Sequence, residues 1–115
     1  MRYLMMICAT EDTVGSTSPD QATAMMAEYA TFSEEMAARR VLQGGERLRP
    51  TSDATTVQVR DGKVLTADGP FAETKEQVGG YYVAECRDLD EAIDVASKIP
   101  GARFGSIEVR PIWEM

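Results

Sequence analysis

Histidine is absent from the 115 residues of this chain. That excludes Ser-His and Cys-His nucleophiles, an imidazole general base near neutral pH, and any histidine-built metal site. Cysteine is scarce as well. Cys8 and Cys86 are too few and too far apart for a zinc motif or a redox CxxC. Rossmann and P-loop glycine patterns are missing, as are haem and metal-ligand spacings, so no cofactor and no metal is expected. No long apolar run is present at the N-terminus: Leu4 to Ala9 is far short of the ~20 residues a bilayer needs and lacks the layout of a secretory signal. The expectation is a cytoplasmic protein without a membrane partner. Positive charge is in the minority, 12 Lys and Arg against 19 Asp and Glu, for a net charge of −7. Without a basic patch, neither nucleic acid nor anionic lipid is an expected partner. Any chemistry must use carboxylates, lysine, tyrosine, hydroxyls or backbone groups.

What is present fits one domain, residues 1–115, with one core; the hydrophobic content of 43% is ordinary for a globular chain. No internal repeat, linker or low-complexity segment interrupts it. Arg2 to Ala9 reads as a strand with Tyr3, Met5 and Ile7 on one face and Leu4, Met6 and Cys8 on the other. Both sets are apolar, so burial of both faces is expected. A polar loop follows from Thr10 to Ser18. Ser18-Pro19-Asp20-Gln21 then supplies an N-cap, a proline at the first helical position and a capping-box glutamine. Ala22, Met25, Met26, Tyr29, Phe32 and Met36 recur at helical spacing, and Gly44-Gly45 is expected to end that segment.

Glu46 to Arg49 reads as a short strand. Ala54 to Arg60 and Lys63 to Thr66 flank Asp61-Gly62, a strong hairpin signal. Val78 to Cys86 reads as a second strand apolar on both faces. Asp88-Leu89-Asp90-Glu91 forms a capping box before Leu89, Ala92, Ile93, Ala96 and Ile99 at helical spacing. Pro100-Gly101 stops that helix, and Ser106 to Ile112 forms the last strand. This order predicts an α+β ferredoxin-like sandwich with an inserted β-hairpin. Two helices cover only one face of such a sheet. The second apolar face calls for another copy, hence a homodimer, burying roughly 800 Å² or more per partner if obligate. The alternative is that the 54–66 hairpin folds over that face within one chain.

The most distinctive stretch is Asp68-Gly69-Pro70-Phe71, continuing through Glu73, Lys75 and Glu76 to Val78-Gly79-Gly80-Tyr81-Tyr82. A pocket is expected at this sheet edge, beside Cys8 to Thr10, floored by Gly79-Gly80 and walled by Phe71 and Tyr81 or Tyr82. Asp68 is the candidate catalytic carboxylate, exchanging a proton in a partly apolar setting. Its structural alternative is an Asx-turn that holds the bend. Lys75 is the candidate anion-binding or acid group, with Glu73 beside it among the substrate-binding candidates; the alternative is surface ion pairing of Glu73, Lys75 and Glu76. Tyr81 and Tyr82 point to opposite faces, one toward the core and one toward the pocket or dimer side, where packing is the plainer role.

These motifs resemble the DGPF-domain proteins of the YCII-related family. The resemblance extends over Gly44-Gly45-Glu46-Arg47-Leu48-Arg49-Pro50, Arg60-Asp61-Gly62-Lys63, Asp88 to Ala92, Ile99 to Gly105 and Glu108 to Ile112. It implies a dimeric α/β-barrel of ferredoxin-like subunits. The wider group has been read as enzymatic from a paired His and Asp; this chain keeps Asp68 and has no histidine, so that mechanism is out of reach. Two functions follow. The first is a small-molecule cleft at the DGPF loop, with cofactor-free proton transfer of the lyase or isomerase type by Asp68 and Lys75 acting on an unidentified ligand. The second is a non-catalytic regulatory or binding protein, since relatives of this type are associated with extracytoplasmic-function sigma factors. A regulatory role of that kind expects an exposed apolar or charged patch away from the cleft.

Overall fold

The computed structural model describes residues 1–11, 17–72 and 74–114. Of the polar loop expected at 10–18, residues 12–16 lie outside the described residues. Strand β1 (Arg2–Ala9) leads through helix α1 (Pro19–Arg39) to β2 (Leu42–Arg47). A short 3₁₀ turn at Thr51–Asp53 precedes β3 (Thr55–Arg60) and β4 (Lys63–Asp68). Then come β5 (Gln77–Glu85), helix α2 (Leu89–Ser97), a second 3₁₀ turn at Pro100–Arg103 and β6 (Ser106–Pro111). The main sheet has the order β2-β5-β1-β6, and β3-β4 form a separate two-stranded ribbon. All neighbours are antiparallel. Each β-α-β unit therefore brackets one strand of the other, a topology compatible with a ferredoxin-like fold. No helix among the described residues is long and apolar enough to cross a membrane.

Local chemistry explains most of the boundaries. The Ser18 hydroxyl accepts from the Gln21 N–H at 3.2 Å, and the Gln21 side chain accepts from the Ser18 N–H at 3.0 Å, completing the capping box of α1. The other end differs from expectation. Helix α1 stops at Arg40, which takes the left-handed conformation (φ 57°) usually left to glycine. Gly44-Gly45 lies instead inside β2, where a Cβ on Gly45 would come within 2.5 Å of the Tyr82 ring. In α2 the Asp88 carboxylate accepts from the Glu91 N–H at 2.9 Å, while Glu91 reaches back to the Arg87 N–H at 3.0 Å, one residue beyond the expected partner. The buried side of that helix is Ala92, Val95 and Ala96; Leu89 and Ile93, expected inward, are exposed.

The core lies between the two helices and one face of the sheet. Tyr3 and Met5 of β1 meet Phe32 and Met36 of α1, Ala84 of β5, and Val95 and Ile99 around α2. Phe32 and Tyr82 pack edge-tilted, ring centres 5.3 Å apart. The other face carries Leu4, Met6 and Cys8 of β1 beside Val83, Tyr81 and Val78 of β5, as the pairing register dictates. These side chains are only half-buried or exposed, so the both-faces burial expected of β1 and β5 is met on one side alone. The ribbon does not cover them. Its β3 valines Val57 and Val59 and its β4 Val64 remain 59, 58 and 68% exposed, which overturns the alternative of a hairpin folded over that face within the chain. Asp61 and Gly62 at its tip both have positive φ (53° and 75°), the twist-matched two-residue turn.

The two strands that meet at Gly105 leave no room there: a Cβ would lie 2.1 Å from the Cys8 carbonyl oxygen. At Gly44 a Cβ meets nothing within 4 Å. Gly105→Ala is expected to cost about 1–3 kcal/mol or more, and Gly44→Ala to change stability by no more than about 0.5 kcal/mol. Urea unfolding of the two variants side by side checks the contrast.

Candidate functional site

One end of the sheet gathers residues from distant parts of the chain. Cys8 pairs with Val78 on one side and with Ser106 on the other, so the end of β1, the start of β5 and the start of β6 meet as the sequence implied. Between Ile7↔Gly80 and Cys8↔Val78 the ladder skips Gly79, a bulge that bends β5 at this edge. The Gly79 carbonyl turns to the other neighbour and accepts from the Leu48 N–H at 2.9 Å. Gly80 is small because the β2 backbone runs close by: a Cβ there would stand 3.1 Å from the Glu46 carbonyl oxygen. The glycine pair thus serves strand packing and a bulge.

Next to this bulge lies a cleft of about 700 Å³ lined by Thr10, Glu11, Thr51, Pro70, Thr74, Lys75 and Gln77. Glu11 follows β1 directly and holds Thr51 with both carboxylate oxygens. One accepts from the Thr51 N–H at 2.8 Å and the other from its hydroxyl at 2.9 Å. Charged acceptors make the stronger hydrogen bonds, so this pair ties the end of β1 to the root of the ribbon. Gly69, in a positive-φ conformation (94°), makes the bend of Asp68-Gly69-Pro70. The bend is held by the Gly69 N–H to the Ala54 carbonyl at 2.7 Å and by the Thr56 hydroxyl to the Gly69 carbonyl at 2.8 Å. The Gln77 amide closes the loop that follows, donating to the Thr74 carbonyl at 2.8 Å and the Ala72 carbonyl at 3.3 Å.

Of the residues singled out from sequence, Lys75 lines the cleft and, among the described residues, has no ion-pair partner. Asp68 is the last residue of β4, exposed and paired with Thr55 across the ribbon. It does not line the cleft, and the bend uses Thr56 and Ala54 rather than an Asx hydrogen bond. Phe71 stands 77% exposed. Gly79, Gly80 and Tyr81 lie in β5 behind the cleft, Tyr81 on the open sheet face and Tyr82 on the helix side. Glu73 lies outside the described residues. Glu11 and Thr51 were not anticipated. They are 40 residues apart, and nothing in their local sequence marks either one. Among the described residues no three His, Cys, Asp or Glu side chains gather to hold a metal ion.

A second cleft, about 580 Å³, opens at the other end of the sheet around Arg39, Arg40, Glu85, Arg87 and Glu91. Its charges are largely matched: Arg87 pairs with Glu91 at 2.8 Å and Arg39 with Asp94 at 3.2 Å. Its contents read as an ion-paired rim.

The residues 1–115 match the model of the YCII-related domain. The chain is also similar to "Uncharacterized protein R00369" of Rhizobium meliloti (strain 1021). The two are 34% identical over 114 residues, which is 97% of this chain and 92% of that protein.

Cys8 and Cys86 are both free thiols at opposite ends of the β1–β5 pair. Burial pushes the Cys8 thiol up from its ordinary range, with Glu108 and Glu76 adding to the effect. A raised thiol stays protonated through the usual thiol range, so the thiolate that reacts is scarce there. Iodoacetamide is expected to modify Cys8 more slowly than a free cysteine at about pH 8, the rate climbing as pH rises further. Cys86, sealed in the core, should react only on unfolding. Mass-resolved alkylation of wild type and Cys8→Ser checks both.

Proposed function

The chain belongs to the YCII-related family, and from that premise we propose that it is a small-molecule-binding protein whose site is the cleft beside the Asp68-Gly69-Pro70-Phe71 bend. The observation that supports this most is the meeting of three remote segments on one cleft, Glu11 after β1, Thr51 before the ribbon and Lys75 before β5, with the lysine ammonium in no ion pair among the described residues. A structural loop has no need of such a convergence. An ammonium on a cleft wall fits a ligand carrying a carboxylate or another delocalised anion. The finer reading is cofactor-free proton transfer of the lyase or isomerase type. Lys75 would bind the developing anion, and Glu11, the carboxylate on the cleft wall, would exchange the proton in place of Asp68, which stands outside the lining.

The assembly that goes with this reading is a homodimer joined through the open sheet face, forming a dimeric α/β-barrel. Leu4, Met6, Cys8, Tyr81 and Val83 would be covered there, which is the burial their sequence pattern calls for. A regulatory reading, with a sigma factor or another protein as partner, is favoured by the exposed ribbon valines, an apolar patch away from the cleft.

A thermal-shift screen with small carboxylic acids and phenols tests the cleft. A true ligand at about 100 times its Kd stabilises by ~2.7 kcal/mol, a shift of several degrees in a domain this size. The shift is expected to vanish in Lys75→Ala and to shrink in Glu11→Gln. A set of acids that shift wild type and Lys75→Ala alike would remove the cleft from consideration.

A further inference from the structure

Besides the open sheet face, the β3–β4 ribbon is left without burial by the described residues. In the register of the hairpin, Thr55 faces Asp68, Val57 faces Thr66 and Val59 faces Val64, so one face presents Thr55, Val57, Val59, Val64 and Thr66, with Asp68 at its root. All of these side chains are exposed. Two-stranded ribbons with nothing packed on them are marginal in water, because one ladder of hydrogen bonds does not offset the chain entropy. A face of β-branched residues is the kind that packs on another surface. Here the described residues do not supply that surface. The molecule measures 49 × 43 × 19 Å, about the thickness of one sheet and one helix layer.

We propose that the ribbon is an arm that clasps a second copy of this chain, its Val57, Val59 and Val64 face lying on the partner subunit. The inference rests on the homodimer reading above and adds the part of the surface that makes such a dimer stable. Area is the first argument. Four strands spaced ~4.8 Å apart and about six residues long project roughly 400 Å² on the open face. One face of the ribbon raises this to roughly 600 Å² of projected contact, nearer to the about 800 Å² per partner that a specific interface buries. Charge is the second argument. The ribbon carries Arg60 and Lys63 against Asp61 and Asp68 and is neutral, so the net charge of −7 belongs to the rest of the chain. Arg60 and Lys63 stand at the tip, and among the described residues neither is in an ion pair, nor is Glu46 at the rim of the open face. A cationic tip reaching an acidic second copy is complementary, whereas two acidic bodies meeting without the arms repel. Because Thr51 and Pro70 at the roots of the ribbon also line the cleft, docking of the arm would fix one wall of the ligand site.

Sedimentation over a dilution series decides the matter for the full chain. The variants are V57S/V59S/V64S, R60E/K63E, and Met6→Lys on the open sheet face, each checked for native circular dichroism. The expected result is a dimeric wild type, with Kd raised about tenfold or more by the valine triple variant. R60E/K63E should also raise Kd, and more so at low salt than at high. R60E/K63E touches no buried group, so it carries the test if the valine variant loses its fold. A wild type that is dimeric and broken by Met6→Lys, but unchanged within about threefold by both ribbon variants, would overturn the arm and keep the dimer. A wild type that is monomeric throughout would overturn both, and the ribbon would then belong to a different partner.

Discussion

Burial of β1 is the interaction on which the rest of the structure depends. The strand is hydrogen-bonded on both sides, to β5 and β6, and Met5 at its centre is sealed off from solvent. Its odd-numbered side chains anchor the two helices, and everything that identifies the fold follows from that anchoring. With β1 in the middle, β5 and β6 must run antiparallel to it, and each helix must cross the same face to connect strands that are not neighbours. One layer of helices then completes the core and leaves the even-numbered side of β1 only half-buried by the described residues.

The same arrangement makes the cleft. An antiparallel sheet brings the end of β1 to the beginnings of β5 and β6, so loops from three parts of the chain are delivered to one edge. The bulge at Gly79 bends β5 where the loop from Pro70 to Gln77 arrives. Glu11 then fastens the end of β1 to Thr51, which fixes where the ribbon leaves the body. Core packing, the cleft wall and the base of the ribbon are thus linked through a short run of backbone, and a ligand in the cleft would press on the ribbon root.

Absence of histidine narrows the chemistry of such a cleft without emptying it. Lysine and carboxylate can bind an anion and move a proton, but near neutral pH each is held mostly in its charged form unless its surroundings shift it. The carboxylate best placed by the structure is Glu11, whose oxygens already accept from Thr51, so its role there begins as a fastening.

Element type and order were legible in the sequence because they rest on local physics. The alternation in β1, the capping residues Ser18 and Asp88 and the Asp61-Gly62 turn each act within a few residues. Where the reading missed, a distant group was responsible. Gly44-Gly45 looks like a helix stop, yet Arg40 ends the helix, and the pair lies in β2, where Gly45 is glycine because the Tyr82 ring, brought across from β5, lies over it. Gly79-Gly80 looks like a ligand floor, yet Gly79 makes a bulge in β5 and the close neighbour of Gly80 is the backbone of β2. Lys75 could be picked out from its place beside the bend. Glu11 and Thr51 could not, since their pairing joins segments 40 residues apart and leaves no periodic trace. The sequence by itself thus determined the elements, the apolar faces and the lack of imidazole chemistry. Only the tertiary structure decided which side chains share a cleft and that the ribbon stands clear of the sheet, because both depend on how far chain segments are carried toward or away from one another.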